Sequence, residues 1–218
     1  MLTQVVIAVR GGPAAKGRCA PVLGASARAE LTTAMLGDML AVLGEASTVS
    51  RIWAVTPTPE LADSAARAGA TPILETAAEG LAAAFTTALQ RIGRESPDTL
   101  VMLVPGDLPH LDARELDAVI AAHRPGEITL VAARADGGTG AVLMGASTPL
   151  AFSYGPGSLE RHRLAALALG LQVRVVAVPG LAFDLDRPTD IAAVLASPRA
   201  TRTRALLQSL QPATEAAA

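Results

Sequence analysis

Apolar residues along the chain alternate between short unbroken runs and stripes spaced by four. Residues 5–9 form one such run, between polar Gln4 and Arg10. An unbroken run of that length predicts a strand covered on both faces. Residues 26–43 show the other pattern. Leu31, Met35, Met39 and Leu43 recur every fourth position, with Leu36 and Leu40 beside them, which predicts a helix with one wide apolar stripe. The alternation continues with a strand over 52–55, a helix over 59–68, a strand over 72–74 and a helix over 79–92 stopped by Gly93. Residues 100–104 form the central strand of the pattern. Asp112 and Glu115, spaced as an acidic capping box, open a helix to Ala122. Strands over 128–132 and 141–144 flank a turn at 136–140. Gly157-Ser158 opens a helix to Leu169, a strand follows over 173–178, and residues 183–186 lead into a helix near Pro188. Residues 199–210 read as a further short helix and 212–218 as a disordered tail.

Strand–helix alternation of this kind predicts a three-layer α/β domain with a mostly parallel sheet. Length supports one domain, over residues 1–197, with 198–218 as a C-terminal extension. Ligands in such sheets bind at the carboxyl ends of strands, so the loops after Val9, Val104 and Phe183 are where chemistry is expected.

Composition narrows the function. Hydrophobic residues make up 50% of the chain and charged ones 17%, enough for a core and too apolar for general disorder. No apolar run approaches the roughly 20 residues that span a bilayer. The start has no basic region before its short apolar run, so it reads as a strand rather than a leader. Cys19 is the single cysteine, which excludes an internal disulfide and fits a reducing cytoplasm. A net charge of −2 and 2% aromatic residues argue against a nucleic-acid coat, a stacking platform and a polybasic membrane patch.

Four constellations carry the candidate chemistry. Arg10-Gly11-Gly12-Pro13-Ala14-Ala15-Lys16-Gly17-Arg18 follows the first strand with three cations, no acid and the only lysine of the chain. It suits a polyphosphate or is a solvated basic loop. It is neither a P-loop nor a G-x-G-x-x-G turn. Asp107, in Pro105-Gly106-Asp107-Leu108-Pro109, is a turn aspartate, a metal ligand or a nucleotide contact. Asp184 and Asp186 alternate onto one side of an extended segment and offer hard oxygens to Mg²⁺. Asp186 also stands where it could N-cap the helix at Pro188. Gly155-Pro156-Gly157-Ser158, with Arg161 one turn on, places helix-start N–H groups where an anion would sit. His162 reads as packed or capping, and His110 and His123 as surface residues. Met35, Met39, Phe85 and Trp53 read as core. Cys19 reads as a small packed residue or as a thiol mildly activated by the loop. Nothing resembles a nucleophile–base pair. A cationic loop, three aspartates and an anion pocket together describe magnesium-assisted nucleotidyl transfer.

The order of these motifs resembles the 2-phospho-L-lactate or phosphoenolpyruvate guanylyltransferase family of coenzyme F420 biosynthesis, over roughly residues 5–194. Lys16-Gly17-Arg18-Cys19-Ala20-Pro21-Val22-Leu23 is similar to its K-x-R-L-x-P-x-L stretch. Arg28, Leu31, Met35 and Asp38 continue in register. Gly106-Asp107-Leu108-Pro109, Gly138-Thr139-Gly140-Ala141, Gly155-Pro156-Gly157-Ser158 with Arg161-His162, and Asp184-Leu185-Asp186-Arg187-Pro188 follow in the family's order. The resemblance implies a nucleotide-diphospho-sugar-transferase-like (GT-A-like) fold, with GTP, a phosphorylated three-carbon acid and Mg²⁺ as ligands.

Carried over residue by residue, Asp107, Asp184 and Asp186 match the metal-binding acids. Lys16 and Arg18 act with Asp107 in catalysis. Arg10, Gly11, Gly12, Lys16 and Arg18 lie over the triphosphate. Thr139, Gly140, Gly155, Gly157, Ser158 and Arg161 match or neighbour positions that hold the acid. The acid is expected to be phosphoenolpyruvate first, then 2-phospho-L-lactate or 3-phospho-D-glycerate. The resemblance also leaves room for direct transfer of the unstable product to the next pathway enzyme. Two positions depart from the family: Ala82 follows Gly80-Leu81 where an asparagine is usual, and Gly140 follows Thr139 where Asn or Thr is common. Alternatives are a nucleotidyltransferase of the same fold acting on molybdopterin or a sugar phosphate, and a catalytically impaired nucleotide-binding protein.

Overall fold

Alternate residues of the first strand pack into opposite cores. Val5 and Ile7 join one hydrophobic cluster, and Val6 and Ala8 the other. That arrangement needs helices on both faces, and the computed structural model, which describes residues 2–11, 15–75 and 79–210, has them. The order is β1 (Thr3–Ala8), α1 (Ala25–Glu45), β2 (Val49–Thr56), α2 (Pro59–Arg67), β3 (Thr71–Leu74), α3 (Leu81–Glu95), β4 (Leu100–Pro105) and α4 (Ala113–Ala121). It continues with β5 (Glu127–Ala132), β6 (Thr139–Gly145), α5 (Ser158–Ala168), β7 (Gln172–Val176), α6 (Pro179–Ala182), α7 (Pro188–Ala196) and α8 (Thr201–Ser209). Gly12 and the tail expected to be disordered lie outside the described residues.

The seven strands form one sheet in the order β3-β2-β1-β4-β6-β5-β7. Only β6 runs antiparallel to its neighbours, pairing with β4 and β5. Residues of α1, α2 and α4 such as Met39, Leu61 and Leu116 cover one face. Phe85, Ile92 and Ala166, from α3 and α5, cover the other. A third cluster joins Cys19, Leu31 and Met35 to Phe183, Leu185, Val194 and Leu207. It fastens the basic loop, α1 and the Asp184–Asp186 segment to α7 and α8. Asp38 of α1 secures α8 directly: its carboxylate accepts from the Arg202 and Thr203 N–H groups and from both flanking threonine hydroxyls.

Several local expectations change. The helix expected over 79–92 starts at Leu81 and runs through Gly93 to Glu95, because Ser96 N–H donates to the Ile92 carbonyl and closes a further turn. Asp112 caps α4 as expected, but Glu115 does not complete the box; its carboxylate accepts from Gly180 N–H instead. Asp186 does not cap α7. Arg187 is the N-cap, and Asp190 accepts from the Asp186 and Arg187 N–H groups. His110 and His123 are not surface rings. His110 stacks on Phe183 with centroids 4.2 Å apart. His123 packs against Thr129 and Glu127 with its side chain 3% exposed.

Candidate active site

Strand order reverses between β1 and β4, so the crossovers leaving these neighbours run to opposite sides. This topological switch point opens a crevice at their carboxyl ends. Arg10 follows β1 there, and Gly106-Asp107 follows β4. Gly106 N–H donates to the Ala8 carbonyl at 2.8 Å. A Cβ on Gly106 would lie 2.9 Å from that same oxygen, so only glycine lets the two chains close up. The crevice is a cleft of about 570 Å³ lined by Arg10, Gly11, Lys16, Arg18, Asp107 and Asp186 among others.

The basic loop reaches over this cleft with a strained backbone. Lys16 sits at φ 51° and ψ 36°, the left-handed region that costs a side-chain-bearing residue about 1–2 kcal/mol. Its Nζ lies 2.8 Å from Asp107 Oδ2, and its side chain is only 9% exposed. Arg28 braces the loop from α1 by donating to the Ala15 and Leu23 carbonyls. Arg18 pairs with Asp186, and its own side chain is 61% exposed. Cys19 is buried beneath, with Sγ 3.5 Å from the Asp186 carbonyl. Burial pushes its thiol up more than Lys16 lowers it, which makes it a packed residue rather than an activated thiol. Arg10 reaches the opposite wall, beside Gly80 and Glu75. Burial raises the Glu75 carboxyl while Arg10 lowers it.

The acids meet through the backbone. Leu185 N–H donates to the Asp107 carbonyl at 3.0 Å, which brings the Asp184–Asp186 segment against the loop after β4. Burial raises the Asp184 carboxyl, and the charges of Asp107 and Asp186 raise it further. Among the described residues, no three His, Cys, Asp or Glu side chains form a group able to hold a metal as they stand. The Asp107 and Asp186 carboxylates are each turned onto a cation. The donor chemistry nonetheless fits a hard divalent ion: three carboxylates within electrostatic reach, whose repulsion a cation would relieve.

The second group of candidate residues lies at the start of β6 and of α5. Leu103 pairs with Val142 across β4 and β6, so extending that register sets Thr139 and Gly140 beside the Asp107 loop. A Cβ on Gly140 would lie 2.0 Å from the Leu181 carbonyl, so α6 can pack there only against glycine. None of Thr139, Gly140, Gly155, Gly157, Ser158 or Arg161 lines the 570 Å³ cleft.

The α5 start does not offer the N–H groups that the sequence suggested. Gly157, Ser158 and Leu159 donate theirs to the carbonyls of Asp136, Gly155 and Gly137. Arg161 is likewise spent on its own loop, donating to the Ser153 hydroxyl and to the Pro156 and Ser153 carbonyls. What the region retains is a buried polar triad of Thr139, Ser158 and His162. His162 is fully buried, as a packed histidine is expected to be.

Glu75 and Thr32 were missed from the sequence, while Arg28 and Asp190, which stand in the family-like stretches, were given no role there. Thr32 lines the cleft, and Asp190 both caps α7 and pairs with Arg134. Glu75 and Thr32 are ordinary residues beside a strand and within a helix, and no local pattern marks them.

Comparison with known proteins gives the family and agrees with the fold. A model of the family described as "Guanylyl transferase CofC like" matches residues 3–217. The 3-phospho-D-glycerate guanylyltransferase of Phenylobacterium zucineum (strain HLK1) is 42% identical over 212 residues, covering 96% of this chain and 97% of its own. The phosphoenolpyruvate guanylyltransferase of Sphaerobacter thermophilus is 36% identical over 194 residues, covering 88% and 91%. Among solved structures, a nucleotidyl transferase from Methanothermobacter thermautotroptrophicus superposes with a TM-score of 0.65 at 14% identity, covering 94% of this chain and 99% of that one. Among the described residues no helix is long and apolar enough to cross a membrane. With the sheet, the cleft at its switch point and these relatives in agreement, the chain belongs to the guanylyl transferase CofC-like family of nucleotidyltransferase enzymes.

Proposed function

We propose that the chain transfers GMP from GTP to a phosphorylated three-carbon acid and releases pyrophosphate, as a cytoplasmic step of coenzyme F420 biosynthesis. The observation that carries this reading is the meeting of Lys16 and Arg18 with Asp107 and Asp186 at the switch point, beside Asp184. A phosphate oxygen of the acid forms the new bond to the α-phosphorus of GTP. The bond from that phosphorus to the β-phosphate oxygen breaks, and its electron pair leaves with pyrophosphate. The attacking phosphate is already ionised, so no general base is needed.

The cationic loop has two tasks in this reaction: neutralising the triphosphate and holding both anions in line. Lys16 and Arg18 serve the chain between α- and γ-phosphates, and Arg10 serves from the far wall. Asp107, Asp184 and Asp186 would hold Mg²⁺, which when bound supplies further charge neutralisation on the phosphates. The lone buried cysteine fits a reducing compartment.

Both acids named for the relatives carry a carboxylate and a phosphate on three carbons. The family resemblance ranks phosphoenolpyruvate first. The higher identity to the 3-phospho-D-glycerate enzyme sets that acid beside it. The test is a matrix of the four nucleoside triphosphates against phosphoenolpyruvate, 3-phospho-D-glycerate, 2-phospho-L-lactate and hexose 1-phosphates, read by mass spectrometry. A diphosphate-linked guanosine product with one three-carbon acid is expected. Product only with a hexose phosphate, or only with another nucleotide, would overturn the reading.

A further inference from the structure

Hydrogen bookkeeping in the buried triad fixes the tautomer of its histidine. Ser153 N–H donates to His162 Nε2 at 3.0 Å. A backbone amide can only donate, so Nε2 holds a lone pair and the hydrogen of the neutral ring sits on Nδ1. Burial, reinforced by Arg161, holds the imidazole down at about 4, so the ring is neutral at physiological pH. Nδ1 lies 2.9 Å from Thr139 Oγ1 and therefore donates to it. Ser158 Oγ donates to the same Thr139 oxygen at 3.1 Å. Both lone pairs of Thr139 are then filled, and its own hydroxyl hydrogen has no recorded acceptor among the described residues. Swapping the direction of the Ser158–Thr139 bond only moves the spare hydrogen to Ser158. Either way the pair keeps one outgoing donor; with the bond reversed, Thr139 also keeps one free lone pair. Ser158 is fully buried, whereas Thr139 is 6% exposed. By the β4–β6 register Thr139 stands beside the turn that follows β4.

We propose that His162 is a positioning residue: donating from Nδ1, it orients the Thr139–Ser158 hydroxyl pair so that one hydrogen is presented to an acceptor oxygen of the acid substrate. The identity of that acid rests on the guanylyltransferase reading; the orientation of the pair does not. His162 touches neither substrate. A site of this kind is pre-organised as a donor and selects an ionised carboxylate or phosphate oxygen over a hydroxyl that must itself donate.

Two measurements on the full chain test it. Long-range ¹H–¹⁵N NMR on ¹⁵N-histidine protein at neutral pH should show His162 as the neutral Nδ1–H tautomer. An Nε2–H tautomer or an imidazolium would overturn the proposal whatever the substrate is. Steady-state kinetics then compares His162→Gln, His162→Leu and Thr139→Val. Glutamine can accept from Ser153 N–H and donate to Thr139, so its KM for the acid should stay within about threefold of wild type. Leucine and the Thr139→Val change should raise that KM about tenfold, with KM for GTP unchanged; tenfold corresponds to ~1.4 kcal/mol, about the lower end for a hydrogen bond to a charged group. Equal rises for Gln and Leu, or a rise shared with GTP, would overturn the orienting role. A wild-type protein that turns over no acid while showing the Nδ1–H tautomer would sink the substrate reading and leave the orientation standing.

Discussion

Replacing Lys16 by methionine keeps an unbranched apolar stem of similar length and removes the charge. The Lys16 ammonium lies 2.8 Å from an Asp107 oxygen on a side chain only 9% exposed. At that separation and an effective dielectric of about 20, the gross attraction is about 6 kcal/mol. Desolvation offsets much of it, and charge-assisted hydrogen bonds measure about 1.5–3 kcal/mol net. In the proposed reaction a triphosphate in the cleft takes over the same ammonium. Losing that contact should lower kcat/KM for GTP by roughly ten- to a hundredfold, since ~1.4 kcal/mol is one factor of ten.

A second substitution separates charge from fold. Lys16 holds a left-handed backbone at φ 51°, so Lys16→Gly removes the charge and also relieves about 1 kcal/mol of steric cost. Both variants should lose GTP turnover by the same order, while the glycine variant melts at the higher temperature. The assay is pyrophosphate release across a GTP titration at saturating acid, with thermal melts alongside. A methionine variant with wild-type kcat/KM for GTP would refute the argument and leave the loop as a solvated basic segment.

Three further outcomes are expected. Asp184→Asn should abolish turnover yet raise the metal-free melting temperature, because a half-buried carboxylate near the charges of Asp107 and Asp186 weakens the fold it sits in; near-normal rates at limiting Mg²⁺ would count against its role as a ligand. Acidification should destabilise the protein through His162, whose folded value of about 4 lies below the ordinary 6.5. The unfolded chain binds the proton first, so stability present above pH 6.5 is lost as pH falls toward 4, by up to about 3 kcal/mol. His110 and His123 are also held low by burial, so the measurement is the difference in slope between wild type and His162→Gln, and identical slopes would reject it. Finally, Asp38→Ala strips the cap of α8 and should cost about 2 kcal/mol, or roughly 4–8 °C in Tm; an unchanged melt would mean that α8 is held by its apolar face alone.

The sequence by itself determined the layers. Each strand, from the unbroken run at the start to β7, shows as an apolar segment bounded by turn residues, and α1 as a stripe. Those patterns report burial, which is a property of neighbouring residues and so is written locally. The candidate residue types showed for a related reason: packing explains poorly a lysine in an acid-free loop, an aspartate just past β4 and a same-side pair of aspartates between α6 and α7. What the residues do to one another was decided only in the tertiary structure. Lys16 meets Asp107 across 91 positions and Arg18 meets Asp186 across 168, distances at which no periodicity operates. The antiparallel course of β6, and with it the place of Thr139 beside the β4 loop, follows from strand order rather than strand pattern. The α5 start shows the difference most plainly. Its glycines and serine suggest open donors, but the carbonyls of residues 136, 137 and 155 fold onto them and fill them. A helix start has unsatisfied N–H groups by local geometry; whether they stay free for an anion depends on which distant carbonyls the fold brings within 3 Å.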